Sequence, residues 1–595
     1  MRIAPQQADG SRRKPTNITE ALSILRSRNA GREPFNIVLA CGFTPLHLKT
    51  LVQAYLQRAL PDRDVELNTG LFGSLAETIA DAALQRPHAV LVAFEWADLD
   101  PRLGYREAQA WGHKVSTSVV DVCREGLDRL VRSLEAVPAT TKVAISTPTL
   151  SLPPVFNVPG WSSGVHELAL EELVAAFAVR VIRMTNCAVV NQRWLAQHSP
   201  QTARHDAEAD LRFGFPYSVS HASALADGLS RLAAPRAAKK GLITDLDDTL
   251  WHGLVGETGP EGISWDLASN QQLHGLYQSL LQALADAGVL LAIASKNDRE
   301  VVDQALQRSD LRVAPTAIFP LEVHWQPKSA SVARILDLWN ISADAVVFVD
   351  DSPLELAEVS AAHPGIECIQ FPQRDNTAGV KLLSYLRDLF ARGEVSYEDS
   401  IRLDSIRSAA ALRDDRAEGA DQESLLAGLE ATVEIDFRAG SSDRRAFELV
   451  NKTNQFNLNG RRFQEADWAA TLGQAGAWLA VVSYKDKFGA LGKIAVMQGR
   501  ALQSGLYIDT WVMSCRAFSR RIEYAVLAEL FRRYAPSEVV LDVAVTAKNG
   551  PLRTFVKSLT GTEPQGTCVT ARERFDAACP TLYHRVILTG EAQDG

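Results

Sequence analysis

Short apolar runs alternate with amphipathic segments along the first 235 residues of the chain. The apolar runs predict buried parallel strands at residues 35–40, 89–94 and 142–146. The amphipathic segments predict helices at residues 45–56, 75–84, 119–134, 168–182 and 222–232. Strands that alternate with helices in this way are typical of a doubly wound α/β sheet. We therefore expect a flexible arm at residues 1–33, with one short amphipathic segment at residues 18–25, and a first α/β domain at residues 34–235.

Apolar runs and amphipathic segments alternate again in residues 236–393, and the pattern is different in residues 431–595. Five apolar runs predict strands of a second α/β domain (236–393) at residues 241–244, 289–294, 317–319, 345–349 and 367–370. Residues 394–430 are charged, lack an apolar strand and predict a helical connector. The predicted strands of residues 431–595 are 477–484, 494–497, 506–513 and 539–545, and the helices are 521–533 and 552–558. The sequence thus predicts a multidomain α/β fold that ends in an α+β domain.

Composition and charge narrow the function classes. The chain has 595 residues and a net charge of −9, which disfavours non-specific binding of nucleic acid because phosphate affinity needs clustered Lys and Arg. The longest apolar stretch is far shorter than the roughly 18 residues that suggest a membrane span, and no apolar signal region follows the basic N-terminal residues. Seven scattered cysteines without C-x-x-C spacing indicate neither a disulfide framework nor a zinc site. We expect a cytoplasmic protein with free thiols and no membrane partner.

Carboxylates, a serine and a lysine follow successive predicted strands of the second domain. In chain order they are Asp245, Asp247, Ser295, Lys328, Asp350 and Asp351. Ligands of open parallel sheets bind at the carboxyl ends of the strands, so we expect these side chains to meet there. An aspartate can attack phosphorus, and a second acid–base group two residues later can serve the leaving oxygen and then a water molecule. The set therefore suits phosphoryl transfer.

The other residues of this set could bind the phosphoryl oxygens and a metal ion. Ser295 and Lys328 would hold the phosphoryl oxygens as their charge shifts. Asp245, together with Asp350 or Asp351, would bind Mg²⁺, a hard ion that prefers oxygen ligands. We therefore expect a magnesium-dependent site at this edge of the sheet.

The order of these motifs resembles that of the haloacid-dehalogenase superfamily of phosphohydrolases. The resemblance implies that Asp245 is the phosphorylated nucleophile and that Asp247 is the acid–base residue. The implied phosphate-binding residues are Thr249, Ser295, Asn297 and Lys328, and the implied metal ligands are Asp245, Asp247, Asp350 and Asp351. Only 45 residues separate Thr249 from Ser295, and 32 separate Ser295 from Lys328, so neither connection has room for a large cap domain. We expect an open mouth that suits a bulky or carrier-borne substrate.

Further motifs extend the resemblance to nearly the whole chain. They lie at residues 251–262, 452–457, 485–489, 514–516 and 546–549. Together they look like the FkbH-like family of glyceryl transferases in polyketide assembly lines. The resemblance implies an SGNH-like first domain and a GNAT-like last domain on either side of the phosphatase-like one. It also implies an enzyme that takes 1,3-bisphosphoglycerate, removes phosphate and loads a glyceryl unit onto the phosphopantetheine thiol of an acyl carrier protein.

Two cysteines are candidates for an acyl-accepting thiol of the enzyme. Cys41 ends a predicted strand and precedes a helix, whose N-terminus favours a thiolate. Its position resembles the nucleophile turn of SGNH-type esterases, with His221 as the candidate base, although Ser218 stands where that pattern has aspartate. Cys515, which also lies between a strand and a helix, is the alternative. A buried structural role for Cys41 also stays open.

The last domain departs from the GNAT pattern at the start of a helix. Residues 516–521 contain no glycine, which makes close approach of the backbone to a pyrophosphate harder. We expect Arg516, Arg520 or Arg521 to meet the single phosphate of a carrier-bound pantetheine, which we favour over free coenzyme A. The candidate contacts for glyceryl hydroxyls or pantetheine amides are Asn454, Gln455 and Asn457. A polar turn is the alternative role of these three amides.

Other functions stay open at this point. One is a plain capless phosphatase that acts on a phosphoprotein or a sugar phosphate, and another is transfer of a different acyl unit. A non-enzymatic docking scaffold is a third, and the complete set of phosphatase motif residues argues against it.

Overall fold

We describe the protein from a computed structural model. The structure describes residues 17–27, 32–71, 73–107, 116–153, 158–391, 402–404, 406–407, 422–437, 440–453, 455–487, 489–502, 505–514, 517–518, 520–546 and 549–589. They form two compact units, one within Arg12–Ala237 and one within Ala238–Phe463 and Trp468–Gly595. A membrane-spanning helix, which needs a long apolar stretch, is not found among the described residues. Most of the predicted connector at 394–430 lies outside them.

The first unit is built on a five-stranded parallel sheet with the order β2-β1-β3-β4-β5. Its strands are β1 (Glu33–Cys41), β2 (Arg63–Thr69), β3 (Ala89–Ala93), β4 (Lys142–Ser146) and β5 (Cys187–Val189). Its helices are α1 (Ile18–Arg26), α2 (Leu46–Ala59), α3 (Leu75–Gln85), α4 (Trp96–Leu99), α5 (Ser116–Glu135), α6 (Val165–Val181), α7 (Gln192–His198), α8 (Ala207–Phe213) and α9 (Val219–Ala233). The strand order reverses between β1 and β3, which is where ligands bind in such sheets.

Alternate residues of β1 supply the cores on both faces of this sheet. Ile37 and Leu39 pack with residues of α2 and α9, whereas Val38 and Ala40 pack with residues of α3, α5 and α6. Because both faces are covered by helices, the strand reads in the sequence as a continuous apolar run.

The amphipathic segment within the predicted N-terminal arm is a helix. Ile18–Arg26 forms α1, and Asn17 caps it by accepting a hydrogen bond from Glu20 N. Ala21 is fully buried in the core that also contains residues of α2. The segment is helical because its amphipathic pattern finds an apolar surface to cover. Residues 1–16 and 28–31 of the predicted arm lie outside the described part of the chain.

The second unit contains two sheets, the first of which is parallel with the order β10-β9-β6-β7-β8. Its strands are β6 (Gly241–Thr244), β7 (Leu290–Ser295), β8 (Ile318–Val323), β9 (Val346–Asp350) and β10 (Glu367–Gln370). Its helices are α10 (Val255–Thr258), α11 (Gln272–Asp286), α12 (Arg299–Leu306), α13 (Lys328–Trp339), α14 (Pro353–Ala362) and α15 (Asn376–Phe390). The chain runs from β6 through β7 to β8 and then crosses to β9. The strand order therefore reverses between β6 and β9.

The other sheet of the second unit is mixed, with the order β17-β16-β15-β14-β13-β11-β18 and with β12 paired to β15. Its strands are β11 (Thr432–Asp436), β12 (Phe456–Asn457), β13 (Ala477–Asp486), β14 (Gly489–Leu502), β15 (Gly505–Met513), β16 (Glu538–Val543), β17 (Gly566–Ala571) and β18 (Arg585–Thr589). The helices in this part of the chain are α16 (Gln422–Ala427), α17 (Arg444–Lys452), α18 (Glu465–Leu472), α19 (Ile522–Tyr534), α20 (Gly550–Thr560) and α21 (Arg572–Ala578). Two separate clusters of buried apolar residues cover the faces of the sheet.

A short segment completes this sheet where β15 and β16 separate. The two strands pair in parallel at residues 506–508 and 539–541. Beyond these pairs, Leu458 N donates to Trp511 O at 2.9 Å, and Ala544 N donates to Leu458 O at 3.1 Å. Leu458 therefore satisfies backbone groups at the ends of both strands.

Candidate active site

Acidic residues stand at the point where the strand order of the parallel sheet in the second unit reverses. Asp245 directly follows β6, and Asp350 is the last residue of β9, the parallel neighbour of β6. Both residues are buried. Because the two strands run in the same direction, their carboxyl ends bring both carboxylates to one crevice.

Lys328 lies between these two carboxylates. Its Nζ is 2.6 Å from Asp350 Oδ2 and 3.0 Å from Asp245 Oδ1, and the lysine side chain is only 6% exposed. Burial lowers the pKa of Lys328, but the charges of Asp245 and Asp350 outweigh this effect and raise it. The lysine therefore stays protonated and neutralises part of the negative charge around it.

The carboxylates still carry an excess of buried negative charge. Burial and the charge of Asp245 raise the pKa of Asp350 to about 7, although Lys328 acts in the opposite direction. Burial and Asp245 also raise the pKa of the neighbouring Asp351. Such a group of anions is stabilised when a further cation binds among them.

Three of the carboxylates are close enough to share a metal ion. Oxygen atoms of Asp245, Asp350 and Asp351 lie within 4.8 Å of one another. Asp245 Oδ1 is buried and accepts no hydrogen bond from the described residues, although the Lys328 ammonium lies close to it. A set of carboxylate oxygens suits a hard divalent cation. The residues present therefore fit such an ion.

Two protein donors orient the third carboxylate of this set. Thr249 Oγ1 donates to Asp351 Oδ1 at 3.4 Å, and Gln373 Nε2 donates to Asp351 Oδ2. Gln370 Nε2 donates to the main-chain oxygen of Asp351 at 3.0 Å. Thr249, expected from the resemblance to bind phosphate, is fully buried and here contacts a carboxylate instead.

Three donors hold the side chain of Asp247. Its Oδ1 accepts hydrogen bonds from Trp251 Nε1 at 2.9 Å and from Val255 N at 3.1 Å. Its Oδ2 accepts one from Asn297 Nδ2 at 3.1 Å, and the same amide nitrogen lies 3.1 Å from Ser295 Oγ. Contrary to the expectation, Asp247 is not among the carboxylates that lie close enough together to share a metal ion. Asn297 links Asp247 to Ser295 rather than standing free for a phosphate.

The mouth of this site has no separate cap domain. The structure describes residues 158–391 without a gap. The α-helices in the connection between Thr249 and Ser295 are α10 and α11, and the connection from Ser295 to Lys328 contains α12 and β8. These elements belong to the domain itself, so the short connections predicted from the sequence leave the crevice open on that side.

Cys41, the expected nucleophile of the first unit, is a buried thiol. Its Sγ donates to Phe43 O at 3.3 Å. Burial, together with the nearby charge of Asp98, raises the pKa of Cys41 to about 12. These surroundings favour the neutral thiol, although Cys41 does stand at the carboxyl end of β1 as expected.

His221, the expected base, does not hydrogen-bond to Cys41. His221 Nε2 bonds with Thr149 Oγ1 at 2.8 Å, and Nδ1 bonds with Ser199 Oγ at 2.9 Å. Burial and the nearby charge of Arg204 lower the pKa of His221 to about 3. With both ring nitrogens occupied, the histidine has no position left for a thiol, so the structure does not assemble the expected pair.

A buried carboxylate beside His221 was missed by the sequence analysis. Glu95 follows β3 and accepts hydrogen bonds from Thr149 N and Oγ1, from Leu150 N and from Tyr217 OH. Because Thr149 also contacts His221, these residues form one polar network. The only signal in the sequence is an acidic residue placed directly after the apolar run at 89–94. The network joins the loops that follow β3 and β4 to α9.

Two candidate residues of the last domain, Asn457 and Gln455, are held by hydrogen bonds to other residues of the protein. Asn457 is 2% exposed; its Nδ2 donates to Thr453 O at 3.0 Å and its Oδ1 accepts from Gly460 N at 2.7 Å. This is the polar turn that the sequence left as the alternative role. Gln455 Nε2 donates to Asn340 Oδ1 at 2.7 Å. Asn454, Cys515 and Arg516 lie outside the described residues.

Comparisons with known proteins found similarity to solved structures. Scans of protein-family models and of curated proteins gave no match to this chain. Among solved structures, the chain is similar to the N-terminal part of BF1531 from Bacteroides fragilis, described as containing a phosphatase domain complexed with Mg. The identity is 18%, the TM-score is 0.51, and the match covers 64% of this chain and 99% of that one. At this identity the match shows that the two chains share a fold over the aligned part.

A second solved structure gives no information on the fold. It is a protein from Corynebacterium glutamicum ATCC 13032 Kitasato, 18% identical, with a match that covers 26% of this chain and 98% of that one. Its TM-score of 0.19 is too low to indicate a shared fold.

Proposed function

We propose that this protein is a Mg²⁺-dependent phosphatase whose reaction centre is Asp245. The observation that carries the proposal is the placement of Lys328 between Asp245 and Asp350 at the reversal point of the sheet. Burying a lysine beside two carboxylates costs desolvation energy, and apolar side chains of similar volume would stabilise the fold as well or better. It is favourable for binding a phosphoryl group, whose oxygens need a fixed cation on the protein side.

Asp245 acts as the nucleophile and Asp247 as the acid–base residue. Asp245 attacks the phosphorus of a phosphate ester, the bond from phosphorus to the ester oxygen breaks, and Asp247 delivers a proton to that oxygen. A water molecule then attacks the aspartyl phosphate, Asp247 takes its proton, and phosphate leaves Asp245. The contacts of Asp247 with Trp251 and Val255 keep its carboxyl group in one orientation through both steps.

Asp245, Asp350 and Asp351 would hold the metal ion. Mg²⁺, when bound there, supplies positive charge that neutralises the phosphoryl oxygens. Lys328, which lies between Asp245 and Asp350, contributes a second positive charge. The Mg²⁺ in the structure of BF1531 from Bacteroides fragilis agrees with this choice of ion.

The substrate proposal is finer and rests on the resemblance to the FkbH-like family. On this proposal the protein takes 1,3-bisphosphoglycerate, removes the 3-phosphate and transfers the glyceryl unit to the phosphopantetheine thiol of an acyl carrier protein. An acyl phosphate is already activated, so a thiol can displace its phosphate without ATP. The 3-phosphate is an unactivated ester, and its removal needs the site around Asp245. Two kinds of reaction would thus explain several domains in one chain.

We propose that the acyl group reaches the carrier protein without first being bound to Cys41. The buried thiol and the occupied ring of His221 favour direct attack by the thiol of the carrier, with Cys515 as the remaining cysteine candidate. A plain capless phosphatase that acts on another phosphate ester is the alternative function, and the similarity to the phosphatase domain of BF1531 is equally compatible with it.

One experiment tests the proposal and separates it from the alternative. The protein is incubated with Mg²⁺, 1,3-bisphosphoglycerate and a phosphopantetheinylated carrier protein, and the mass of the intact carrier is measured. We expect a glyceryl adduct with the wild type and a phosphoglyceryl adduct with Asp245→Asn. Asp303→Asn, in an exposed ion pair of α12, is the matched control and should behave as the wild type. Release of phosphate without any carrier adduct would support the plain phosphatase instead.

A further inference from the structure

A surface cavity opens directly beside the proposed metal site. Its volume is about 580 Å³, which is within the usual range of small-molecule sites. It is lined by residues 351–353 and 370–375, which stand at the carboxyl ends of β9 and β10. One of them is Asp351, whose carboxylate oxygen lies within 4.8 Å of those of Asp245 and Asp350. The cavity therefore offers room for the alcohol part of a phosphate ester whose phosphoryl group reaches Asp245.

Hydrogen bonds attach the loop after β10 to the site residues. Phe371 N donates to Asp350 O at 2.9 Å. Gln370 Nε2 donates to the main-chain oxygen of Asp351 at 3.0 Å, and Gln373 Nε2 donates to its Oδ2. These contacts fix the position of the loop relative to the carboxylates that would hold the metal ion.

Arg374 is the cation that this loop brings to the cavity. It lines the cavity wall and is exposed, and it makes no hydrogen bond or ion pair with the described residues. Its neighbours in the loop are engaged, because Gln373 bonds to Asp351, and Asp375 Oδ1 accepts from Ala378 N at 2.9 Å as the cap of α15. The guanidinium of Arg374 thus keeps its N–H donors available for a ligand.

We propose that Arg374 binds a second anionic group of the substrate, a carboxylate or a phosphate on the alcohol part of the ester. A planar guanidinium can donate two parallel hydrogen bonds to either group. Such an anion would be repelled by Asp351 if no cation stood nearby. We call the part of the cavity beside Arg374 the anion subsite. The inference rests on the proposed function and adds a substrate class to it: phosphate esters that carry a further negative charge.

The two cations of this region have different surroundings. Lys328 is buried and contacts both Asp245 and Asp350, so it serves the phosphoryl group that is transferred. Arg374 is exposed on the wall of the adjoining cavity, so it serves a part of the ligand that extends from the site toward solvent. We therefore expect Arg374 to select among phosphate esters rather than to take part in the transfer itself.

The test compares pairs of phosphate esters that differ by one anionic group. Phosphoglycolate and hydroxyethyl phosphate differ by a carboxylate, whereas propanediol bisphosphate and propanediol monophosphate differ by a phosphate. Phosphate release is measured with Mg²⁺ at constant ionic strength. We expect a lower KM for the more charged ester, and the pair that shows this preference identifies the anion as carboxylate or phosphate. Arg374→Ala should reduce the preference about tenfold with little change in kcat, and Arg374→Lys should keep part of it.

Arg387→Ala is the matched control. It removes another exposed arginine, which lies in α15 and pairs with Asp388, and it should keep the full preference. An equal loss with Arg387→Ala would show an effect of overall charge and would overturn the inference. So would a wild type without any preference, or an equal loss for both members of a pair, which would place Arg374 on the transferred phosphoryl group instead.

Binding measured without turnover makes the test independent of the reaction. In the Asp245→Asn background with Mg²⁺, calorimetric titration with the more charged ester should give an affinity about tenfold weaker when Arg374→Ala is added. If this loss is found while the wild type releases phosphate from none of the esters, the proposed phosphatase function fails and the anion subsite stands. If all esters release phosphate equally well, the phosphatase function stands and the anion subsite is refuted.

Discussion

Replacing Lys328 with methionine should destabilise the second unit more than any exposed Lys→Met change in it. The lysine lies 2.6 Å from Asp350 Oδ2 and 3.0 Å from Asp245 Oδ1, and all three side chains are nearly or fully buried. Coulomb's law with an effective dielectric constant of about 20 gives about 6 kcal/mol for each contact, much of which desolvation cancels. Removing one member of such a group costs about 3–5 kcal/mol because the remaining charges are left unpaired. We expect a loss of that size in the absence of divalent metal.

The measurement is thermal unfolding of the full chain at pH 8, with EDTA and with Mg²⁺. In EDTA, Lys328→Met should lower the unfolding temperature clearly. Added Mg²⁺ should raise it more in the variant than in the wild type, because the ion takes over part of the lost positive charge. Lys557→Met, which breaks an exposed ion pair with Glu563, is the control and should cost about 1 kcal/mol or less. The reasoning is refuted if the two variants lose equally or if Mg²⁺ gives Lys328→Met no additional stabilisation.

Three further predictions concern Asp245, His221 and Cys41. Asp245→Asn should abolish Mg²⁺-dependent phosphate release, and phosphate assays that show more than a few per cent of wild-type activity would contradict the assigned nucleophile. His221 has a pKa of about 3 when folded and about 6.5 when unfolded, so the unfolded state binds the proton first and stability falls as the pH drops below 6.5. Between pH 7 and pH 5 this should cost the wild type about 2 kcal/mol that His221→Gln does not lose, as measured by unfolding at each pH. Cys41 should resist iodoacetamide at pH 8 in the folded protein and react after denaturation, as read by peptide mass spectrometry; rapid native labelling would show that the thiol is accessible.

The central strands are the part of the fold that the sequence predicts best. Runs such as 89–94 and 345–349 are apolar at every position because helices cover both faces of their sheets, and they correspond to β3 and β9. The edge strand β2 was missed because its outward positions are polar, and β5 was missed because it has only three residues. Edge strands of this kind depend on the neighbour that they pair with more than on their own composition.

For the candidate site, the sequence predicts which residues lie near one another but not which hydrogen bonds they form. Asp245, Ser295, Lys328 and Asp350 follow strands of one parallel sheet, so sequence order alone places them at one edge, and the structure brings Lys328 into contact with both aspartates. The hydrogen-bond partners of a side chain are not visible in this way. His221 finds its partners on loops more than twenty residues away, and no spacing rule indicates that they occupy both ring nitrogens.

The segment around Leu458 has a consequence for how the last sheet can bind an extended ligand. Where two parallel strands separate, their facing edges offer free amides and carbonyls to which a peptide-like chain can add as an extra strand. Here Leu458 hydrogen-bonds to the carbonyl of Trp511 and to the amide of Ala544, so a segment of the chain itself fills the place of the extra strand. An extended ligand with amides of the same kind would have to compete with it. Between the ends of β15 and β16 the backbone groups are thus protected from chance pairing, and access to them requires local opening of the segment.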